Sequence, residues 1–183
     1  NWTNNGGVFS GESGTGSFTG VSKIIGGTAS TDFPTISIAN GATITMNNSN
    51  TSTGLNFVSL SLNSSFTHTG SAALTINGSV NIGQPTTSVR NNSWIINSGS
   101  ATVSGLITFA GANVTTSRIG RITLTTGTLN ANGGITFTTS AAATKVIDMS
   151  GGAAVLNLKG ALTVPALSST LTAGSSGSIV NYL

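Results

Sequence analysis

The sequence predicts an all-β fold: a right-handed parallel β-helix, or β-solenoid, with about 27 residues and three short strands per coil. Three observations point there. The stretch Leu74-Thr75-Ile76-Asn77-Gly78-Ser79-Val80-Asn81-Ile82 returns as Ala101 to Phe109, Leu129 to Phe137 and Leu156 to Val164. Its central glycines therefore fall at 78, 105, 133 and 160, in steps of 27, 28 and 27. Around each glycine, apolar and polar residues alternate with period two, the pattern of a strand with one buried face. No window of helix length keeps a helical period, because Gly or Thr interrupts each one, so almost no α-helix is expected. The competing all-β answer is a β-sandwich of the pilin-subunit kind. A sandwich has no reason to repeat at constant spacing, whereas a solenoid stacks like residues over like.

Taken in order, residues 1–33 are rich in Gly, Asn, Ser and Thr. Their short apolar groups at Trp2, Val8-Phe9, Phe18, Ile24-Ile25 and Phe33 read as short strands between tight turns. Pro34 opens the strand Thr35-Ile36-Ser37-Ile38, and Asn40-Gly41 turns it into Ala42-Thr43-Ile44-Thr45-Met46. Asn47 to Gly54 reads as a polar loop, after which Phe57 to Leu62 resumes the alternation. Each later coil then gains a third strand ahead of the nine-residue pattern: Phe66-Thr67-His68, Trp94-Ile95-Ile96, Ile122-Thr123-Leu124 and Ile147-Asp148-Met149. The expected organisation is one solenoid domain over 1–183, with less regular coils over 1–66 and regular coils over 67–165. Residues 166–183 read as the start of a further coil or unit. Gly177 to Leu183 reads as a strand with no turn after it, and it loosely echoes Gly16 to Gly20. Neither end carries a capping helix or charged loop, so each open edge is expected to be covered by a neighbour.

Within a rung, neighbouring side chains point to opposite faces of the strand. This places Ile76, Val103, Ala131 and Leu158 in one inward column and Thr75, Thr102, Asn130 and Asn157 in the outward column beside it. A second inward column holds Val80, Ile107, Ile135 and Leu162. Each buried aliphatic side chain contributes roughly 1.5–3 kcal/mol. The repeated glycine is expected at a corner, where positive φ or close backbone approach excludes a Cβ.

Composition narrows the function classes. Hydrophobic residues make up 37% of the chain and charged residues only 5%, against roughly 25% charged in an average globular protein. Solubility therefore rests on hydroxyls, amides and the 25 glycines. The net charge of +3 comes from six scattered cations, Lys23, Arg90, Arg118, Arg121, Lys145 and Lys159, and only Arg118 and Arg121 are close in sequence. A nucleic-acid partner would require a basic stripe with interleaved aromatics, so none is expected. With no cysteine there is no disulfide framework and no thiol chemistry. No run approaches the roughly 18 apolar residues of a membrane span. The chain opens on Asn1 without a signal-peptide pattern and reads as a processed product or a piece of something longer.

Acid–base catalysis needs positioned carboxylates or histidines, usually in pairs. Only Glu12, Asp32, Asp148 and His68 are available, spread from one end of the chain towards the other, and no catalytic residue is assigned. His68 takes the slot held by Ile96, Leu124 and Met149 in later coils, which reads as a buried, hydrogen-bonded histidine. No second ligand stands at metal spacing, so no metal and no cofactor is expected. Asp148 falls on the outer face without the neighbouring acids that calcium needs. Trp94 aligns with Ile122 and Ile147 and reads as core, while Trp2 either caps the stack or meets a neighbour. The Thr arrays at Thr123-Leu124-Thr125 and Thr136-Phe137-Thr138 have the spacing of a flat ice-binding face, but Lys159, Pro165 and frequent Asn break the array. Asn-X-Ser/Thr triplets such as Asn50-Thr51-Ser52, Asn63-Ser64-Ser65 and Asn113-Val114-Thr115 are expected by chance at this composition.

The residues Trp2-Thr3-Asn4-Asn5-Gly6, Gly14 to Gly20, Ile25-Gly26-Gly27-Thr28, Phe33 and Ile36-Ser37-Ile38, with the Leu-Thr-Ile-Asn-Gly-Ser-Val type of the later rungs, resemble the repeats of very large secreted surface proteins of the Bacteroidota. One departure is Lys23-Ile24-Ile25, where that family has a Gln before its Ile-Gly-Gly step. The resemblance implies type IX export, a place at the cell surface and a role as an adhesin or filament component. The expected function is accordingly a structural, non-enzymatic module: a rigid, uncharged spacer or self-assembling surface. Its expected partners are copies of itself or adjoining repeats, end to end. The alternative is a carbohydrate-binding or tailspike-like module with surface glycans as partners.

Overall fold

A computed structural model describes residues 1–11, 13–58, 62–83, 90–110, 118–138, 145–165, 169–174 and 177–183. The described residues are all-β with no helix. The early strands are β1 (Trp2–Asn4), β2 (Thr15–Phe18), β3 (Lys23–Gly27), β4 (Asp32–Phe33), β5 (Thr35–Ile38), β6 (Thr43–Met46), β7 (Asn50–Ser52) and β8 (Leu55–Phe57). Regular coils follow with β9 (Ser64–His68), β10 (Ala73–Ile76), β11 (Val80–Gly83), β12 (Arg90–Ile96), β13 (Ser100–Val103) and β14 (Ile107–Ala110). The chain continues through β15 (Arg118–Leu124), β16 (Thr128–Ala131), β17 (Ile135–Phe137), β18 (Lys145–Met149), β19 (Val155–Leu158), β20 (Leu162–Thr163), β21 (Ser169–Ala173) and β22 (Ile179–Tyr182).

These strands form three parallel sheets wound as a β-solenoid. Sheet A runs β1-β3-β6-β9-β12-β15-β18-β21, sheet B runs β4-β7-β10-β13-β16-β19-β22, and sheet C runs β2-β5-β8-β11-β14-β17-β20. The register is the one that like-over-like stacking requires. Leu74, Thr75 and Ile76 pair with Ala101, Thr102 and Val103, which pair in turn with Leu129, Asn130 and Ala131, and these with Leu156, Asn157 and Leu158. On sheet A, Phe66 pairs with Trp94, Trp94 with Ile122 and Ile122 with Ile147. Ile76, Val103, Ala131 and Leu158 are all buried, as are Val80, Ile107 and Ile135. Leu162, at the end of its column, is only partly buried and packs against the core. Where aromatics stack, they do so face to face: the Phe109 and Phe137 rings lie 4.5 Å apart at 12°.

Three details of the early coils differ from the sequence expectation. Asn47 to Gly54 is not a loop throughout, because β7 within it joins sheet B, pairing Thr51 with Asp32 and with Thr75. Its inward residues are polar, which hid it, but both are satisfied. The Asn50 Oδ1 accepts the Thr31 N–H at 2.9 Å, and the Ser52 hydroxyl donates to the carbonyl of Pro34 or Gly54, at 2.7 and 2.8 Å. Hydrogen bonding removes most of the cost of burying such groups. Next, the strand expected over Phe57 to Leu62 lies earlier, as β8, with Leu55 and Phe57 inward. Ser59, Leu60 and Ser61 lie outside the described residues, and Leu62 is exposed. Finally, Val8-Phe9 forms no strand, and only Ser10 makes a single parallel bridge, to Asp32. The early coils are also shorter: Phe33 pairs with Ser52, whereas Trp94 pairs with Ile122. Gly177 to Leu183 supplies β22, which continues sheet B, whereas the echoed Gly16 to Phe18 stands in sheet C.

The corner glycines settle which of the two expected causes operates. None of Gly78, Gly105, Gly133 and Gly160 has positive φ; left-handed backbone occurs at neighbours such as Gly134. The glycines sit over one another instead. A Cβ on Gly105 would lie 2.7 Å from the carbonyl group of Gly78, and one on Gly133 would run into Gly105. The Gly105 N–H donates to the Gly78 carbonyl at 2.9 Å, so the stacked corners are tied as well as crowded. Gly105→Ala is expected to cost about 2–3 kcal/mol through forced backbone movement, read from urea denaturation. Gly7→Ala, where the added Cβ meets only the Asn4 side chain at 3.7 Å, should stay within about 0.5 kcal/mol.

Candidate functional site

The titratable groups do not converge. His68 is fully buried in sheet A, as its slot implied. Its Nε2 accepts the Trp94 indole N–H at 3.0 Å, and its ring meets Phe66 edge-on at 5.1 Å. An accepting Nε2 leaves the proton on Nδ1. There the Ser100 carbonyl favours the proton, although no partner stands at normal hydrogen-bond geometry. Burial dominates and pushes the imidazole pKa down from 6.5 to about 3. His68 is thus a neutral core group, out of reach of any substrate.

The acids lie apart from it and from each other. Asp32 is exposed on β4, near the first end of sheet B, where Thr51 donates its hydroxyl at 2.6 Å. Asp148 is on β18, one strand from the last of sheet A. It accepts the hydroxyl and N–H of Ser150 at 2.6 and 3.0 Å, and these bonds hold its carboxyl below its ordinary value, with help from the Arg121 charge. Glu12 lies outside the described residues. Among the described residues, no group of three or more His, Cys, Asp or Glu stands close enough to hold a metal ion.

The cations are placed less simply than a scatter over the surface. Lys145 is fully buried at an inward position of β18, donating to the Thr138 carbonyl and, at 2.9 Å, to the Thr138 hydroxyl. Burial lowers its pKa from 10.5 to about 8. The preceding inward positions of that column are Ser64, Asn92 and Gly120. The column is small and polar, and that leaves room for an ammonium group within it. Arg90 pairs in register with Arg118, so the stack adds Arg90 to the Arg118–Arg121 pair that the sequence suggested. Register across 28 positions was the signal for this, visible only once the period was applied to the charges.

Trp94 is fully buried and belongs to the core. Trp2 closes the first end of the stack, edge-on to Phe9 at 4.8 Å and to Phe33 at 5.5 Å, with its indole N–H on the Thr31 hydroxyl at 3.0 Å. The outward column beside Thr123 reads Ile24, Thr45, Thr67, Ile95, Thr123, Asp148 and Thr172, a mixture that breaks any flat threonine array. Amides take over on sheet B. Asn181 donates to Asn157 at 2.8 Å, Asn157 to Asn130 at 2.7 Å and Asn130 to the Thr102 hydroxyl at 3.1 Å, a one-way ladder along the axis.

The surface features that stand out lie at the two ends. At the last rung Val164, Leu171, Ile179, Tyr182 and Leu183 are exposed. At the first end Val8, Phe9, Val21 and Ile24 are exposed, beside a cleft of about 360 Å³ lined by Asn1, Trp2, Ser17, Phe18, Thr19 and Lys23. Elsewhere among the described residues only Leu62 and Leu106 are large, apolar and exposed. No helix of the described chain is long and apolar enough to cross a membrane. Comparison with protein-family models, curated proteins and solved structures gives no match for this chain.

Proposed function

We propose that this chain is a structural module of an extracellular filament or surface adhesin, of the kind the Bacteroidota repeats resemble, acting as a rigid, uncharged, non-enzymatic spacer. The observation that carries this reading is the single apolar core that the described residues share from Ile25 to Leu158, beneath flanks of hydroxyls and amides. A rod of this kind transmits position along its axis, and it offers proteases few loosened strands, because each inner rung is hydrogen-bonded to the rungs on both sides. A sugar site needs ring faces in a concave surface; among the described residues the flanks of the rod offer none, the exposed Phe9 and Tyr182 and the cleft lined by Trp2 and Phe18 all lying at the first and last rungs. Immunogold labelling of intact source cells tests the reading. Label on the outer surface is expected, and label that appears only after permeabilisation overturns it. A glycan array with micromolar binding would favour the carbohydrate-binding or tailspike-like alternative.

A further inference from the structure

We propose that Arg90 and Arg118 together clamp a tetrahedral oxyanion, the sulfate or phosphate group of an anionic polysaccharide, on the flank of the solenoid; the polysaccharide as source rests on the proposed place at the cell surface. Arg90 opens β12 and Arg118 opens β15, and the two pair in register across neighbouring parallel strands, so their Cα atoms stand about 4.8 Å apart. β12 and β15 are inner strands of sheet A, with β9 and β18 on their far sides. Two residues further along each strand, on the same side, the packed edge of sheet C begins. There the Asn92 amide donates to the Gly83 carbonyl at 2.7 Å, and a Cβ on Gly120 would lie 3.4 Å from Ile82. The arginines therefore stand at the rim of that edge, and both are half-buried.

Charge and geometry identify the ligand. Like charges directly opposite one another on neighbouring strands destabilise a sheet, and here two guanidinium groups that keep their protons at any ordinary pH are set side by side. Residues 90–148 hold four cations, Arg90, Arg118, Arg121 and Lys145, against one acid, Asp148. That carboxylate is engaged by Ser150 and lies in the field of Arg121. The remaining acids are Asp32, on β4 of sheet B, and Glu12, which precedes it in the chain. Arg90 and Arg118 both make interactions within the chain, but contacts with neutral groups leave a charge in place, and an anion between the two turns one repulsion into two attractions. Each guanidinium presents a fork of N–H donors that takes two oxygens. A carboxylate is filled by one fork, whereas the free oxygens of a sulfate or phosphate ester can be shared between two. Lys145 opens β18, the next strand, with its ammonium on Thr138, and it adds positive potential without competing for the ligand. A single-stranded nucleic acid also needs aromatic platforms for its bases, and among the described residues the flanks expose none. A charged ester needs no ring face, so it fits a flank where a neutral sugar does not.

Phenylglyoxal, which modifies accessible guanidinium groups, tests the clamp on the wild-type chain, each arginine being followed by peptide mass. Dextran sulfate is expected to slow the modification of Arg90 and Arg118 several-fold, sodium sulfate at the same sulfate concentration to do so less, and neutral dextran not at all. Equal protection by sodium chloride of matched ionic strength means general screening and overturns the clamp. Protection by the free ion without protection by the polymer overturns the polysaccharide. Retention on dextran sulfate beads gives a second arm. R90Q/R118Q and K23Q/K159Q each remove two cations, taking the net charge from +3 to +1; the first is expected to flow through and the second to be retained close to wild type. Equal loss in the two variants, or stronger retention of the wild type on single-stranded DNA beads, overturns the proposal. R90K/R118K keeps the charge without the forks and is expected to elute at lower salt than wild type, which keeps the clamp testable if R90Q/R118Q does not fold; elution together with wild type overturns it. A chain that fails these tests yet labels at the cell surface leaves the spacer reading standing, and one that passes them but labels only after permeabilisation keeps the clamp and removes the reading.

Discussion

Ile107→Asp is expected to unfold the chain or loosen its middle coils, with a loss of more than about 4 kcal/mol. Ile107 is fully buried between Val80 and Ile135 in the sheet C column. The change gives up roughly 1.5–3 kcal/mol of apolar burial and sets a carboxylate among aliphatic groups with no partner, at a further cost of several kcal/mol. A domain of ordinary stability, about 5–15 kcal/mol in all, loses a large share of it. Thr108→Asp, one residue on and partly exposed in the outward column between Asn81 and Thr136, should change stability by no more than about 0.5 kcal/mol. Urea titrations of both variants, followed by circular dichroism, check the pair. Similar losses for the two would mean that the column is not a dry core.

The second large effect is a loss of stability in mild acid that traces to one residue. The His68 pKa is depressed from 6.5 to about 3 in the folded chain, so between those values the unfolded chain binds a proton that the folded chain refuses. Stability is at its full value above pH 6.5 and falls with acidification by about 1.4 kcal/mol per pH unit. From pH 7 to 4.5 the expected loss is about 2–3 kcal/mol. Asp148, also depressed, loses its contribution only as pH falls below the ordinary carboxylate range, so this window isolates the histidine. Lys145 acts at the other extreme: its lowered pKa makes the folded state gain relative stability as pH rises from about 8 towards 10.5. His68→Gln offers the Trp94 N–H a new acceptor without a titrating ring, and it should flatten the profile between pH 7 and 4.5. Retention of the acid sensitivity in that variant would place its origin elsewhere.

Part of the polar interior was legible and part was not. His68 was readable as a core group because its slot held Ile, Leu and Met in the later coils. Lys145 was not, because it lies ahead of the apolar triplet, where no repeat had been aligned. The carboxylates could be judged isolated from spacing alone, and the structure puts Asp32 and Asp148 in different sheets towards opposite ends.

The sequence by itself determined the parallel coil, its three-strand rung and the inward and outward columns of the regular coils. A period-two pattern repeated at constant spacing has one stacking register, and a slip of one residue would turn every apolar side chain to water. Only the tertiary structure decided the early coils, where Asn50 and Ser52 point inward and the apolar signal is absent. A strand with polar inward residues is stable only through its hydrogen bonds to Thr31, Pro34 and Gly54, and such partners come from neighbouring rungs and corners that a linear pattern does not bring together. The tertiary structure also decided that the corner glycines are required by the carbonyl group of the rung beside them and not by a left-handed backbone. That requirement comes from stacking, which crowds the corners of neighbouring coils until no Cβ fits between them.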